Sequence, residues 1–274
     1  MSVKAVDASS ARAAGGPQLT VSQVAAKPLR GIGGFFAMTL DAFVLMFRPP
    51  FAWRELVEQT WFVARVSLLP AVMLAIPFNA LTQFMINILL QDIGGIDLAG
   101  ATAATANVEQ LGPAVTVLVV GGASATAMCA DLGARTIREE LDAMRVMGIN
   151  PIQALVVPRV VAATFVAVLL SAVVMIVGLG GSYAFAVYVQ HVTPGAWVSS
   201  LTLLVHLPQL MGGLIRAMLF GLVASLIACY LGVSVRGGPQ SVGNAVNEVV
   251  VYSFLALFVI DILATALMVK VAPR

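Results

Sequence analysis

Charged side chains are scarce in this chain of 274 residues. They make up 10% of it, where a soluble domain carries about 25%. Apolar residues fill the difference, at 60% of the chain with a mean hydropathy of +0.98. Several apolar stretches exceed the roughly 18 residues that predict a transmembrane helix. The shortage of charge therefore excludes a soluble globular domain and predicts an all-α integral membrane protein.

Lysine, cysteine and histidine are also few. The three lysines, Lys4, Lys27 and Lys270, lie outside any G-x-x-x-x-G-K-[ST] sequence, so a P-loop ATP site on this chain is excluded. Cys129 and Cys229 lie in apolar stretches without metal-ligand spacing, which predicts two free, buried thiols. The two histidines have no nearby partner for a metal site or a triad. We therefore expect no catalytic residue, metal or cofactor on this chain.

The first 60 residues contain no complete span. Residues 1–30 are rich in Ala, Ser and Gly and lack the apolar core of a signal peptide, which predicts a disordered cytoplasmic tail. Residues 31–60 predict interfacial amphipathic helices, because the apolar stretch from Gly34 to Phe47 is too short to cross a bilayer and ends before Pro49. Half of a broken span is the alternative for that stretch.

Residues 61–274 predict a domain of five membrane spans. The spans cover about residues 66–90, 111–130, 160–189, 217–235 and 249–269. The third span is long enough to project beyond the membrane or to break at the sequence GLGG, residues 178–181. Residues 91–109 and 190–200 are expected to be outer loops, and residues 236–248 an inner loop.

The placement of basic residues predicts the orientation. Twelve of the 15 Lys and Arg residues lie before Val66, between Arg135 and Arg159, or at Arg236, and the two outer loops contain none. Because cytoplasmic loops carry the excess of Lys and Arg, we expect a cytoplasmic N-terminus and an external C-terminus in the cell (inner) membrane.

The most polar stretch after Val66 is GARTIREELDAMRVMGIN, residues 133–150. On a helical wheel Ile137, Leu141, Met144 and Gly148 form one stripe, with charged residues on the opposite arc. Gly148 and the proline that follows at 151 are typical of a helix end. The pattern predicts a short cytoplasmic helix at about residues 132–148, between two spans.

This helix either lies solvated on the bilayer or docks in a groove of a cytoplasmic partner. Its charges predict ion pairs Arg135–Glu139 and Arg138–Asp142, four residues apart. The adaptable side chains of its two methionines favour docking. The residues predicted to contact the partner are Arg135, Arg138, Glu139, Glu140, Asp142, Met144, Arg145, Met147 and Gly148.

Polar residues also occur within the spans, where they are costly unless they face protein or a cavity. Asn79, Gln83 and Asn87 repeat every four residues and form one edge of the first span. They either make hydrogen bonds between helices or line a substrate cavity for a lipid headgroup. Asp261 lies in the fifth span and Arg216 begins the fourth, close enough in depth for an intramembrane charge pair.

Long motifs carry a resemblance to a known family. The sequences LGPAVTVLVVGGASATAMCADLGARTIRE and ELDAMRVMGINPIQALVVPRVVA cover residues 111–162, and VRGGPQSVGNAVNEVVV and GGFF extend the match over most of residues 33–270. They resemble the MlaE/YrbE permeases of lipid-transporting ABC systems. CADLGARTIREELDAM is similar to the actinobacterial YrbE proteins encoded with Mce proteins, of the A-like subunit type.

The resemblance implies an MlaE-type permease with an N-terminal interfacial helix, five transmembrane helices and a cytoplasmic coupling helix. Glu139, Asp142 and Ala143 fall on acidic and small positions of the family's coupling helix. Ala123 and Gln110 depart from family motifs that have Arg and Glu there, so lipid-handling details of the MlaE branch do not transfer to the second span.

The resemblance also implies partners. These are a second YrbE-type permease subunit, a cytoplasmic ABC ATPase that binds ATP and Mg²⁺, and a hexamer of MCE proteins on the outer face. No nucleic-acid partner is expected. The function implied is ATP-driven import of a lipid, with fatty acid, mycolic-type lipid, phospholipid and sterol left open as cargo. A scaffold that anchors MCE proteins without transport is the alternative, and a membrane-embedded lipid enzyme lacks any convergent polar cluster in the sequence.

Overall fold

The computed structural model describes residues 21–49 and 52–271. Most of the expected disordered tail, residues 1–20, lies outside the described residues. Residues 21–30, which were also assigned to that tail, are instead helical and form the start of the first helix. The prediction of disorder is therefore wrong for residues 21–30.

The described residues form helices and no strand. The helices are α1 (Val21–Met46), α2 (Trp53–Asp92), α3 (Ile96–Ile137), α4 (Glu140–Val146), α5 (Ile152–Tyr188), α6 (Pro194–Ser200), α7 (Leu207–Val233) and α8 (Pro239–Val271). Five of them, α2, α3, α5, α7 and α8, are long and apolar enough to cross a membrane. The predicted all-α membrane fold with five spans is confirmed.

The spans alternate in direction, so the bundle has two ends. One end carries α4, and we call it the α4 end. The other carries α6, and we call it the α6 end. Helix α5 packs along α2 and against α7, and α8 packs on α7 and α3. Helix α3 is the most buried of the five spans, and α2 and α8 are the least.

Small side chains allow this close packing. The largest apolar cluster joins alanines of α2, α5 and α7 to larger residues such as Met128, Phe220 and Leu257. Between membrane helices, small residues let backbones approach closely, which compensates for the weak hydrophobic drive in lipid. Cys129 and Cys229 are free and buried within this packing, as predicted.

Several predicted boundaries are wrong. Residues 96–109, expected in an outer loop, are the first turns of α3, and residues 53–60, expected in an interfacial helix, are continuous with the first span. The alanine-rich sequence ATAATA has high helix propensity. The hydroxyls of Thr102 and Thr105 donate hydrogen bonds to carbonyls of the preceding turn, so these polar groups are paired within the helix. Residues 194–200 form α6, and α8 begins at Pro239, inside the expected inner loop.

Helices α2 and α5 are also more continuous than expected. Helix α2 runs through Pro70 and Pro77 without ending. Helix α5 does not break at residues 178–181 but continues to Tyr188. Three π-helical segments occur in the spans, at Asn107–Leu111, Val120–Ser124 and Ile152–Val156. Such segments are frequent at functional sites, and the last lies directly after α4.

Candidate functional site

A sharp break in the backbone separates α3 from α4. Arg138 ends the helical conformation of α3, and Glu139 adopts a left-handed backbone with φ of 61°. The hydroxyl of Thr136 donates to the carbonyls of Leu132 and, at 3.1 Å, of Gly232 in α7, which ties the last turn of α3 to the neighbouring span. The single helix predicted for residues 132–148 is therefore wrong. It is the end of a span followed by a separate short helix.

The predicted apolar stripe of α4 is present. Leu141 is buried and Met144 packs against an apolar cluster formed by α1, α5 and α7. The helix ends at Gly148, whose φ of 78° is left-handed, and the amide of Ile149 donates to the carbonyl of Met144 at 2.9 Å. That bond is typical of a glycine-terminated helix. The predicted helix end is confirmed.

The charged face of α4 forms different ion pairs from those predicted. Arg145 pairs with Asp142 at 2.7 Å and Arg138 pairs with Glu140 at 3.2 Å. Arg135 turns back to Asp131 in α3, at 3.4 Å. The predicted Arg135–Glu139 and Arg138–Asp142 pairs are wrong, because the left-handed residue interrupts the helical register on which the four-residue spacing depends.

Apolar side chains are exposed at the tip of α4. Val146 is 88% exposed and Met147 is 67% exposed. Behind α4 lies a mostly polar cavity of about 520 Å³ that separates it from the end of α7 and is lined by residues including Arg145, Tyr230 and Arg236. A short helix with a charged face and an uncovered apolar tip, fixed by one buried leucine, has the features of a docking element.

A buried charge network lies at the same end of the bundle, and the sequence analysis missed it. Arg159 of α5 is 0% exposed. Its Nη2 lies 2.5 Å from Asp131 of α3 and 3.5 Å from Glu55 of α2, and its Nη1 donates to the carbonyl of Leu155. Gln59 donates to Glu55 at 2.9 Å. The network joins three spans close to the break before α4.

A weak signal for this network was available in the sequence. Arg159 is the only charged residue between Arg145 and Arg216, and in the sequence it counts only as one of the basic residues that predict the orientation. A lone arginine in an apolar stretch requires an acidic partner. Asp131 directly follows the second predicted span and Glu55 lies before the first, but only the three-dimensional packing brings them to the same point.

The three amides of α2 make hydrogen bonds between helices, the first of the two predicted alternatives. Asn79 accepts a hydrogen bond from Asn107 of α3 at 2.8 Å. Gln83 donates to the carbonyl of Ala99, and Asn87 donates to Gln190 beyond α5. All three side chains are at most 2% exposed, so they do not line an open cavity in this structure.

The predicted charge pair is present. Arg216 Nη1 lies 3.6 Å from Asp261 Oδ1. Arg216 lies well inside α7 and its side chain is 5% exposed, so the expectation that it begins the span is wrong. Its Nη1 also donates at 3.0 Å to the carbonyl of Glu109. Pro113, four residues after Glu109, has no N–H to donate to that carbonyl, and the arginine donates to it from α7.

Comparison with known proteins identifies the family. The sequence profile of the family described as Permease MlaE matches residues 56–267, which is most of the chain. The chain therefore belongs to the MlaE permease family.

Relatives of this MlaE-family chain carry consistent names. A probable ABC transporter permease protein of Rickettsia bellii is 28% identical over 88% of this chain and 93% of its own length. The intermembrane phospholipid transport system permease protein MlaE of Haemophilus influenzae is 25% identical over 66% of this chain and 70% of its own. The chloroplastic protein TRIGALACTOSYLDIACYLGLYCEROL 1 of Arabidopsis thaliana is 30% identical over 59% of this chain and 46% of its own.

Membership of the MlaE family fixes the functional class. The chain is a multi-pass membrane permease, a transport component rather than an enzyme, as predicted. The resemblance read from the motifs is confirmed at the level of the family. The assignment to the actinobacterial, Mce-associated branch stays a prediction.

Proposed function

We propose that this chain is the permease subunit of an ATP-driven complex that imports a lipid from the cell envelope. Its membership of the MlaE family supports a role in transport. The name of the Haemophilus relative supports a lipid as cargo, since that protein is described as a permease of intermembrane phospholipid transport. ATP hydrolysis belongs to a separate subunit, because the sequence contains no P-loop.

The observation that carries this proposal is the form of α4. A chain with few charges has a short helix between two spans, with exposed ionic residues on one face and Met147 exposed at its tip. Leu141 anchors the other face in the bundle. A partner that grips such a helix displaces α3 and α5, to which it is joined at either end. Helix α4 is accordingly the coupling helix, and the cytoplasmic partner is an ABC ATPase with ATP and Mg²⁺.

The orientation and the other partners follow from the basic residues and the family resemblance. The α4 end holds most of the Lys and Arg residues and faces the cytoplasm, and the α6 end and the C-terminus face outward. A second YrbE-type permease subunit completes the membrane part. A hexamer of MCE proteins on the outer face supplies the lipid.

The cargo is a fatty acid, mycolic-type lipid, phospholipid or sterol. Apolar walls accept all four because burial of apolar surface is not directional. Mass spectrometry of lipid that co-purifies with the intact complex distinguishes them. Each class has its own headgroup mass and chain-length distribution.

Charge reversal on α4 tests transport against the scaffold alternative. In Glu139→Lys/Asp142→Lys we expect lipid uptake to collapse while the MCE proteins still assemble, because two repulsive charges face the ATPase groove. The control is Glu58→Lys, which reverses an exposed carboxylate at the same end of the bundle. Unchanged uptake in the α4 variant, with the permease present at normal levels, supports the scaffold alternative and contradicts the proposal.

A further inference from the structure

One side-chain nitrogen of Arg159 lies near carboxylates of two different helices. Its Nη2 lies 2.5 Å from Asp131 Oδ2 in α3 and 3.5 Å from Glu55 Oε1 in α2. The contact with Asp131 is a direct charge-assisted hydrogen bond, and the distance to Glu55 is beyond the usual N–H···O range. In this structure the arginine is therefore bonded to α3 and only loosely paired with α2.

The network lies where motion of α4 reaches the spans. Asp131 is within the last two turns of α3, just before the break at Glu139 that begins α4. Glu55 and Gln59 are in the first two turns of α2. Since an α-helix is stiff over two turns, a displacement of α4 moves Asp131 relative to Arg159 and Glu55.

Two buried polar atoms in the network have no hydrogen-bond partner among the described residues. They are Nε of Arg159 and Oε1 of Gln59. One is a donor on α5 and the other is an acceptor on α2, the two helices with the most extensive mutual packing. Buried groups left unpaired are costly and rare. Because one helix leaves a donor unpaired and the other leaves an acceptor unpaired, the present arrangement does not use the full hydrogen-bonding capacity of the network.

We propose that Arg159 is a positioning residue that transfers its bond from Asp131 to Glu55 when the ATPase moves α4, so that the position of α3 determines whether α2 is coupled to α5. The inference rests on the proposed function and adds to it the connection inside the membrane domain. With Arg159 bonded to Asp131, the start of α2 is free to move away from α3. With Arg159 bonded to Glu55, α2 follows α5. Alternate bonding of one arginine gives two discrete arrangements, which coupling between distant sites requires.

A purely structural clamp is the competing explanation. A clamp holds three helices together in every state, and loss of either carboxylate then lowers the amount of folded complex and both activities together. A switch behaves differently. Loss of one carboxylate favours one arrangement, so ATP hydrolysis continues while lipid transfer fails.

The test uses the intact complex with its ATPase in proteoliposomes. The variants are Glu55→Gln and Asp131→Asn, and the control is Glu58→Gln, the same chemical change one turn along α2 in an exposed ion pair. ATP hydrolysis and lipid transfer are measured on the same preparation. We expect hydrolysis within about twofold of wild type and transfer lowered at least about tenfold in the two network variants, with both within about twofold in the control.

Equal loss of hydrolysis and transfer in the network variants, or no larger effect than in Glu58→Gln, overturns the switch.

A second measurement does not depend on how the variants fold. One spin label is attached at Arg54→Cys, near the start of α2, and the other at Ala134→Cys, near the end of α3, and both positions are exposed. The labels report the distance between these two helix ends in an otherwise unchanged complex. We expect the distance to change between nucleotide-free and ATP-bound states, and a constant distance overturns the inference. ATP-independent transfer by the wild-type complex would instead overturn the proposed function itself.

Discussion

Arg216 of α7 lies 3.6 Å from Asp261 of α8 and donates to the carbonyl of Glu109 in α3. One guanidinium thus joins three spans inside the membrane. The arginine is almost fully buried, and Pro113, four residues after its carbonyl partner, has no backbone N–H to donate. The pair therefore fixes the relative depth of three helices and is expected to matter for folding more than an exposed ion pair does.

A double-mutant cycle measures the strength of this pair. Arg216→Gln is expected to lower the free energy of unfolding in mixed micelles by about 2–4 kcal/mol, because it leaves a carboxylate and a carbonyl unpaired in a low-dielectric setting. Combined with Asp261→Asn it should show a coupling energy of about 1 kcal/mol or more. The corresponding cycle on Arg54 and Glu58, an exposed pair at 3.0 Å, serves as the control. Additive losses at Arg216 and Asp261 would contradict a direct pairing.

The amide pair between α2 and α3 is expected to stabilise the bundle. Asn79→Ala leaves the side-chain amide of Asn107 without its acceptor and should lower the apparent free energy of unfolding by about 1–2 kcal/mol. Thr82→Ala on the same helix is the control, because that hydroxyl is exposed and bonds only within its own helix. If Asn79→Ala spared thermal stability but abolished lipid transfer, the residue would be part of a lipid path and the structural role would be wrong.

Gly178 is required where α5 approaches that same amide pair. A Cβ atom there would collide with the side-chain amides of Asn79 and Asn107, and neither can withdraw without losing the hydrogen bond between them. Gly178→Ala should therefore cost about 1–3 kcal/mol. Gly180→Ala, two residues further along α5, faces open space and should raise stability by up to about 1 kcal/mol. The order of the two melting temperatures in detergent checks this; equal values would contradict the close approach.

The break between α3 and α4 also makes a prediction. Glu139 has a left-handed backbone, which glycine adopts without the steric cost that an L-residue carries. Glu139→Gly should leave the thermal stability of the isolated permease unchanged or raise it by about 0.5 kcal/mol. Ala143→Gly, in the middle of α4, should lower it by about 1 kcal/mol. A similar loss of stability in the two variants is the outcome expected of one continuous helix and would contradict the break.

Features set by local composition were predictable from the sequence. The five spans, the buried stripe of α4 and its end at Gly148 follow from apolar runs, helical spacing and the backbone preference of glycine. The Arg216–Asp261 pair was predictable because isolated charges in apolar spans need partners. The first three features depend on residues that are close together in sequence, and the charge pair stands out because charged residues are scarce in the spans.

Features that depend on packing between distant segments were not predictable. The break at Glu139 lies close to the bond from Thr136 to the end of α7, and no local pattern indicates either. The first turns of α3, which contain Asp97 and Glu109, were expected in a loop, yet Ala99, Ala101, Ala103 and Ala104 between these acidic residues are buried. The role of Arg159 becomes visible only when Glu55 and Asp131, far apart in sequence, lie beside it.

Contact between α4 and an ATPase is the central claim, and site-specific photo-crosslinking in native membranes tests it most directly. A photoreactive amino acid at Met147, at the exposed tip of α4, is compared with one at Tyr188, which is 76% exposed at the α6 end. We predict that Met147 crosslinks to the co-expressed ATPase subunit and that Tyr188 does not. A crosslink to the ATPase from Tyr188, or none from Met147 in cells that assemble the complex, would contradict the account.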